Sequence, residues 1–148
     1  MMKEKFKRAY MKTAQTFAEL SSSQRLHVGA IVVKDDRIIS IGYNGMPAGW
    51  DNNCEFEYTN PQTKVTELIT RKEVLHAESN AIAKLAKSND SGNGATLFIT
   101  HSPCIECAKL IYQSGINSVV YGEDYRDDAG LKFLEKSGVI VEQLQHVD

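Results

Sequence analysis

The sequence predicts an α/β fold built on one mixed sheet of about five strands, covered by helices on both faces. Three observations predict it. The elements run in the order αββαβαβαβ, single helices separate the strands of the second half, and two β-branched runs flank Asp35 and Asp36. A strand, helix, strand connection crosses over right-handed and pairs its strands in parallel, whereas the runs around Asp35 form an antiparallel hairpin at one side. A chain of 148 residues buries about two thirds of its unfolded surface in one core, so a single domain over residues 1–148 is expected, with no disulfide framework.

Each element has a local reason. Phe6, Ala9, Tyr10, Thr13, Ala14 and Phe17 recur every three or four positions, which makes Lys3 to Leu20 an amphipathic helix ended by Ser21, Ser22 and Ser23. His27 to Lys34 and Arg37 to Ile41 are the hairpin strands. Gly42 to Gly49 (GYNGMPAG) is dense in residues that tolerate positive φ or fix a turn, and reads as a structured loop. Asp51 to Glu73 is polar and weakly periodic, and reads as a long loop or an insertion with a short helix. Leu75 to Lys87 is an alanine-rich helix, and Gly92-Asn93-Gly94 turns into a strand at Ala95 to Thr100. Pro103 opens a helix to about Ser114, with Gly115 as its stop. Asn117 to Tyr121 is a strand, Asp128 to Lys136 a helix and Val139 to Leu144 the last strand.

Charge and cysteine usage narrow the function. With 17 basic and 19 acidic side chains the net charge is -2, which gives no overall grip on a nucleic acid polymer or an acidic membrane and favours a small ligand. Apolar runs such as Val28 to Val33 fall far short of a membrane span, and Met1 to Lys12 stays charged where a leader would be apolar. Three cysteines, an odd number, point to a reducing compartment and to a metal or redox role, hence a cytoplasmic location.

The chemistry concentrates in His76-Ala77-Glu78 and Pro103-Cys104-Ile105-Glu106-Cys107, each where a helix begins. Cys104 and Cys107 share one face of a first helical turn, where the helix dipole favours thiolates. Residues two apart on a helix point about 200° from one another, so His76 and Glu78 can share a site only at the helix tip. One histidine and two cysteines make three ligands, which leaves a tetrahedral zinc one open position, as catalytic sites have. Glu78 is then the acid and base, and the HxE…PCxxC pattern is that of zinc deaminases acting on cytosine and adenine bases. Other readings stay open here. A redox dithiol leaves His76 and Glu78 without a job, and a closed structural zinc completed by Cys54 or His101 leaves Glu78 idle. His27 reads as a hydrogen-bonded structural residue, His146 as solvated, and Trp50 and the tyrosines as core or interface.

Over roughly residues 3 to 145 the chain resembles the deoxycytidylate deaminases of the cytidine-deaminase superfamily, in a compact form like those of bacteria and phages. The matching segments are Val28-Gly29-Ala30, Gly42 to Gly49, His76-Ala77-Glu78 with Asn80-Ala81, Thr100 with Ser102-Pro103-Cys104 and Cys107, and Glu123-Asp124-Tyr125-Arg126. The resemblance implies a three-layer α/β/α cytidine-deaminase-like fold. It also implies hydrolysis of dCMP to dUMP and ammonia by a zinc-activated hydroxide, with one catalytic Zn2+ per subunit on His76, Cys104 and Cys107 and with Glu78 carrying protons, supplying dUMP for dTMP synthesis. By similarity Asn44 binds the deoxyribose hydroxyl, and groups around His101 and Ser102 line the base pocket; Ser22, Arg25, Tyr125 and Arg126 are candidates for the phosphate. The family pattern further implies a homo-oligomer, a hexamer favoured, activated by dCTP and inhibited by dTTP with Mg2+ on the triphosphate. Candidate effector residues are Asn44, Gly45, Met46, Gly49, Trp50 and Asp51 on the loop, and Asn80, Lys84 and Lys87 on the following helix. The location is the cytoplasm, the host's if the chain is of phage origin. Ser23 stands where relatives carry a cysteine for a second, structural zinc, and Cys54 is the recognisable remnant. Rival readings are a tRNA-editing or free-base deaminase, disfavoured by charge and by the GYNGxPxG loop, and a non-catalytic binding module, disfavoured by Glu78.

Overall fold

The computed structural model describes residues 2–145. In chain order its elements are α1 (Glu4–Ala18), β1 (Gly29–Lys34), β2 (Arg37–Tyr43), β3 (Glu55–Thr59), β4 (Thr66–Thr70), α2 (Ala77–Ala86), β5 (Thr96–His101), α3 (Ile105–Gln113), β6 (Ser118–Glu123), α4 (Ala129–Lys136) and β7 (Ile140–Gln143). Five strands form one sheet in the order β2-β1-β5-β6-β7. β1 is antiparallel to both β2 and β5, while β5, β6 and β7 run parallel, as expected from the single helices between them. Asp35 and Asp36, both at positive φ, make the tight turn between β1 and β2, whose mirror-image backbone matches the twist of the strands.

Alternation along the strands divides the core. Ala30, Val32, Leu97, Ile99 and Val119 face α2, α3 and α4, and Ile31, Val33, Phe98 and Val120 face Met11 and Ala14 of α1. Two glycines seat helices against this frame. A Cβ on Gly42 would lie 2.2 Å from the Ala77 carbonyl oxygen, and one on Gly130 would lie 2.1 Å from that of Pro103. Gly42 therefore lets the first turn of α2 approach β2, and Gly130 lets α4 rest on the turn before α3.

The structure corrects several sequence expectations. The stretch from Asp51 to Glu73 holds no helix; it carries an antiparallel hairpin of β3 and β4, with Glu55 opposite Thr70 and Thr59 opposite Thr66. The alternation in Glu55-Phe56-Glu57-Tyr58-Thr59 is the signal that marks it. Gly42 and Tyr43 belong to β2, so the loop begins at Asn44, and of its glycines Gly49 alone has a positive φ. Pro103 lies before the helix: Cys104 is the N-cap and Ile105 the first residue of α3. Trp50 is exposed, so of its core-or-interface reading the core half does not hold. His146 lies outside the described residues. Among the described residues, no helix is long and apolar enough to cross a membrane.

Candidate active site

His76 is the N-cap of α2 and Cys104 the N-cap of α3, and neither side chain caps its own helix. Both are left to face one another across the helix tips. The His76 Nδ1 atom lies 3.3 Å from the Cys107 sulfur and 3.6 Å from the Cys104 sulfur, and the three donor atoms all fall within 4.8 Å of one another. Zinc bonds of about 2.0 Å to nitrogen and 2.3 Å to sulfur at tetrahedral angles place those atoms about 3.6 Å apart, so the donor set fits zinc in both chemistry and spacing. The protons tell the same story. A hydrogen bond from Cys107 and another from His76 pull the Cys104 thiol down to about 3, while the bond to Cys104 and burial push Cys107 far up. Interaction with Cys104 also raises His76. Both shifts favour the protonated forms of Cys107 and His76 where a cation would bind.

Glu78, in the first turn of α2, is 4% exposed, and burial pushes its carboxyl up to about 7. Among the described residues it is the carboxylic acid beside this cluster that is poised to gain and lose a proton near neutrality. The Cys107 thiol lies against it.

His76, Glu78 and Cys104 line a cavity of about 490 Å³, together with Asn44, Ser102, Arg25, Tyr125 and Arg126. Arg25, Tyr125, Arg126, Asn44 and Ser102 thus line one cavity. Ser22 does not: it is exposed and outside the lining, and its neighbour Ser23 takes its place. Asn44 is held from both ends of its amide, accepting from the Val28 N–H at 2.9 Å and donating to the Leu26 carbonyl at 2.7 Å. Its orientation is therefore fixed before any ligand arrives. The Ser102 hydroxyl accepts from the Tyr125 N–H at 2.6 Å, tying the Tyr125–Arg126 turn to the end of β5.

Thr70, Val74 and Glu123 also line the cavity: Val74 and Glu123 lie beside His76 and Tyr125 in the chain without any motif that marks them, and Thr70 arrives from β4. Lys84 and Asn80 donate to the carbonyls of Ile41 and Tyr43, which fastens α2 to β2 beside the root of the Asn44–Asp51 loop. Gly45, Met46, Gly49, Trp50 and Asp51 lie on that loop, and Lys87 follows α2 as its C-cap. His27 is structural as expected, its Nε2 bonded to the Ser23 carbonyl. Cys54 is buried, its thiol 3.5 Å from the Asn52 carbonyl and outside the three-donor cluster.

Residues 4–123 match the family described as the cytidine and deoxycytidylate deaminase zinc-binding region. The ComE operon protein 2 of Bacillus subtilis is 37% identical over 141 residues, covering 92% of this chain and 69% of that protein. The deoxycytidylate deaminase of Saccharomyces cerevisiae is 30% identical over 149 residues, and the chain spans about half of its length, 47%. Among solved structures, dCMP deaminase from the cyanophage S-TIM5 in complex with dCMP and dUMP is similar with a TM-score of 0.85 and 44% identity, covering 97% of this chain and 100% of that one.

Proposed function

The chain belongs to the cytidine and deoxycytidylate deaminase family of zinc-binding enzymes, and we propose that within it this chain hydrolyses dCMP to dUMP and ammonia. The observation that carries the reading is Glu78: a buried carboxyl titrating near neutrality, in one cavity with a three-donor zinc site. His76, Cys104 and Cys107 would hold the zinc, which would supply Lewis-acid activation of a water at neutral pH. The residues of the chain do the rest. Glu78 takes a proton from the attacking water and delivers it to N3 of the cytosine ring as the C4–O bond forms. It then carries the second water proton to the exocyclic amine, and the C4–N bond breaks to release ammonia. Asn44 orients the sugar through the donor and acceptor capacity its two backbone contacts leave free. Arg25 and Arg126 bring positive charge to the cavity for the 5′-phosphate.

The same reading extends to the whole chain. Residues 1–148 act as one domain with one zinc per subunit, working in the cytoplasm as a homo-oligomer, a hexamer favoured. dCTP activates and dTTP inhibits, with Mg2+ on the triphosphate, at the Asn44–Asp51 loop and the Asn80, Lys84 and Lys87 face of α2. Ammonia release from dCMP, dCTP, deoxycytidine and CMP, beside tRNA and guanine, tests the substrate. dCMP is expected to be preferred; activity on tRNA or guanine without activity on dCMP overturns the reading.

A further inference from the structure

Three consecutive residues of the loop between α1 and β1 converge on a single oxygen. Oε2 of Glu55, the first residue of β3, accepts from the Ser23 hydroxyl at 2.7 Å, the Gln24 N–H at 2.8 Å and the Arg25 N–H at 3.0 Å. Glu55 is 3% exposed, and its other oxygen, Oε1, is buried without a hydrogen-bond partner. Burial raises this carboxyl's pKa, but the bonds from Ser23, Arg25 and Gln24 outweigh it and hold the group below the usual carboxylate range. Directly across the hairpin from Glu55 stands Thr70, whose Oγ1 accepts from Arg25 Nη1 at 2.9 Å. Arg25 is thus held at both ends, its backbone by Glu55 and its guanidinium by Thr70. Both Arg25 and Thr70 line the cavity that contains His76 and Glu78.

We propose that Glu55 and Thr70 are positioning residues that together aim the Arg25 guanidinium at the substrate's 5′-phosphate. The inference rests on the proposed dCMP reading. Its physical basis is the entropy of an exposed arginine: a long side chain fixed before binding loses less freedom when it grips an anion. Thr70 occupies one of the five guanidinium N–H donors, which leaves the rest for a phosphate. A buried carboxylate is expensive to hold, and here three donors offset that cost only when Ser23, Gln24 and Arg25 adopt this one arrangement. The pair therefore couples the β3–β4 hairpin, which contributes little to the main core, to the geometry of the cavity wall.

The test is steady-state kinetics of the zinc-loaded protein on dCMP and on deoxycytidine, which lacks the phosphate. Thr70→Val and Glu55→Ala are expected to raise KM for dCMP about tenfold with kcat within about twofold, and to leave kcat/KM for deoxycytidine unchanged. Glu55→Gln is expected to restore most of the Glu55→Ala loss, because its amide oxygen can take the Oε2 position while its nitrogen takes that of the unpartnered Oε1. Adding Thr70→Val to Arg25→Ala should cost nothing further, since the effect runs through Arg25. Should Glu55→Ala fail to fold, Thr70→Val decides alone. Equal losses on both substrates, or no loss on dCMP in Thr70→Val, overturn the inference. A wild-type protein inactive on dCMP removes the underlying substrate reading instead, and the inference with it.

Discussion

His76 Nδ1 and Cys104 Sγ lie 3.6 Å apart although 28 positions separate them, and each residue is the N-cap of its helix without capping it. A serine, threonine or aspartate in either place would stabilise its helix by about 1 kcal/mol. The chain forgoes that at both tips, and the positive ends of α2 and α3 point together at the cluster, where they favour thiolate over thiol.

Glu78→Gln is expected to keep zinc and fold and to lose deamination by about 10²- to 10⁴-fold, the range ascribed to a positioned general acid and base. Cys104→Ala is expected to lose the metal as well, because two protein ligands hold zinc poorly. Metal analysis beside ammonia release separates the two, and an active Glu78→Gln would take the glutamate out of the mechanism.

Glu78 also makes stability depend on pH in the metal-free protein. Its folded-state pKa of about 7 exceeds the ordinary 4.5, so the folded state binds more protons between those values. Stability is fully present below pH 4.5 and falls as pH rises toward 7, by up to roughly 3 kcal/mol for this group. Urea midpoints of metal-free wild type and Glu78→Gln should therefore agree near pH 4 and diverge by pH 8, the variant being the more stable. Parallel curves at every pH would show that the carboxyl is not penalised.

Zinc must compete with protons at His76 and Cys107, both of which the metal-free cluster shifts toward the protonated form. Binding at pH 6 is expected to release more than one proton per zinc, measured with an indicator dye in weak buffer. Saturation is expected at one zinc per chain, unchanged in Cys54→Ser. Two tightly held ions, with one lost in that variant, would mean that a second site had been misread.

If dTTP favours an inactive arrangement, it lowers the apparent affinity for dCMP, and dCMP weakens dTTP binding by the same factor. Titrations with Mg2+ present measure both. Kinetics unmoved by saturating dTTP and dCTP would remove regulation from the proposal.

Gly42→Ala places a methyl group 2.2 Å from the Ala77 carbonyl oxygen, backbone against backbone. The first turn of α2 must shift, at about 1 to 3 kcal/mol, and His76 and Glu78 shift with it. Lower thermal stability and weaker zinc binding are expected together; a variant with unchanged zinc affinity would show that the ligands move independently of the helix.

The sequence alone determined what depends on neighbours along the chain. The β1–β2 hairpin followed from β-branched runs around two aspartates, the parallel half of the sheet from strands separated by single helices, and the metal donors from a histidine and a CxxC at helix starts. Each reflects local backbone preference or a periodicity of a few residues. Only the tertiary structure decided what distant segments do together. In the sequence Gly42 reads as the start of a structured loop, yet it lies in β2 and its missing Cβ is what admits α2 to β2. The β3–β4 hairpin carries its alternation in the sequence, but with Phe56 and Tyr58 exposed it is Glu55 that fastens it, to a loop some 30 positions away, and residue order does not show that bond. That Arg25 faces the same cavity as Glu78, and Ser22 does not, depends on Glu55 and Thr70 reaching across from another sheet. A contact of that kind is set by the packing of the whole chain, and residue order by itself carries no record of it.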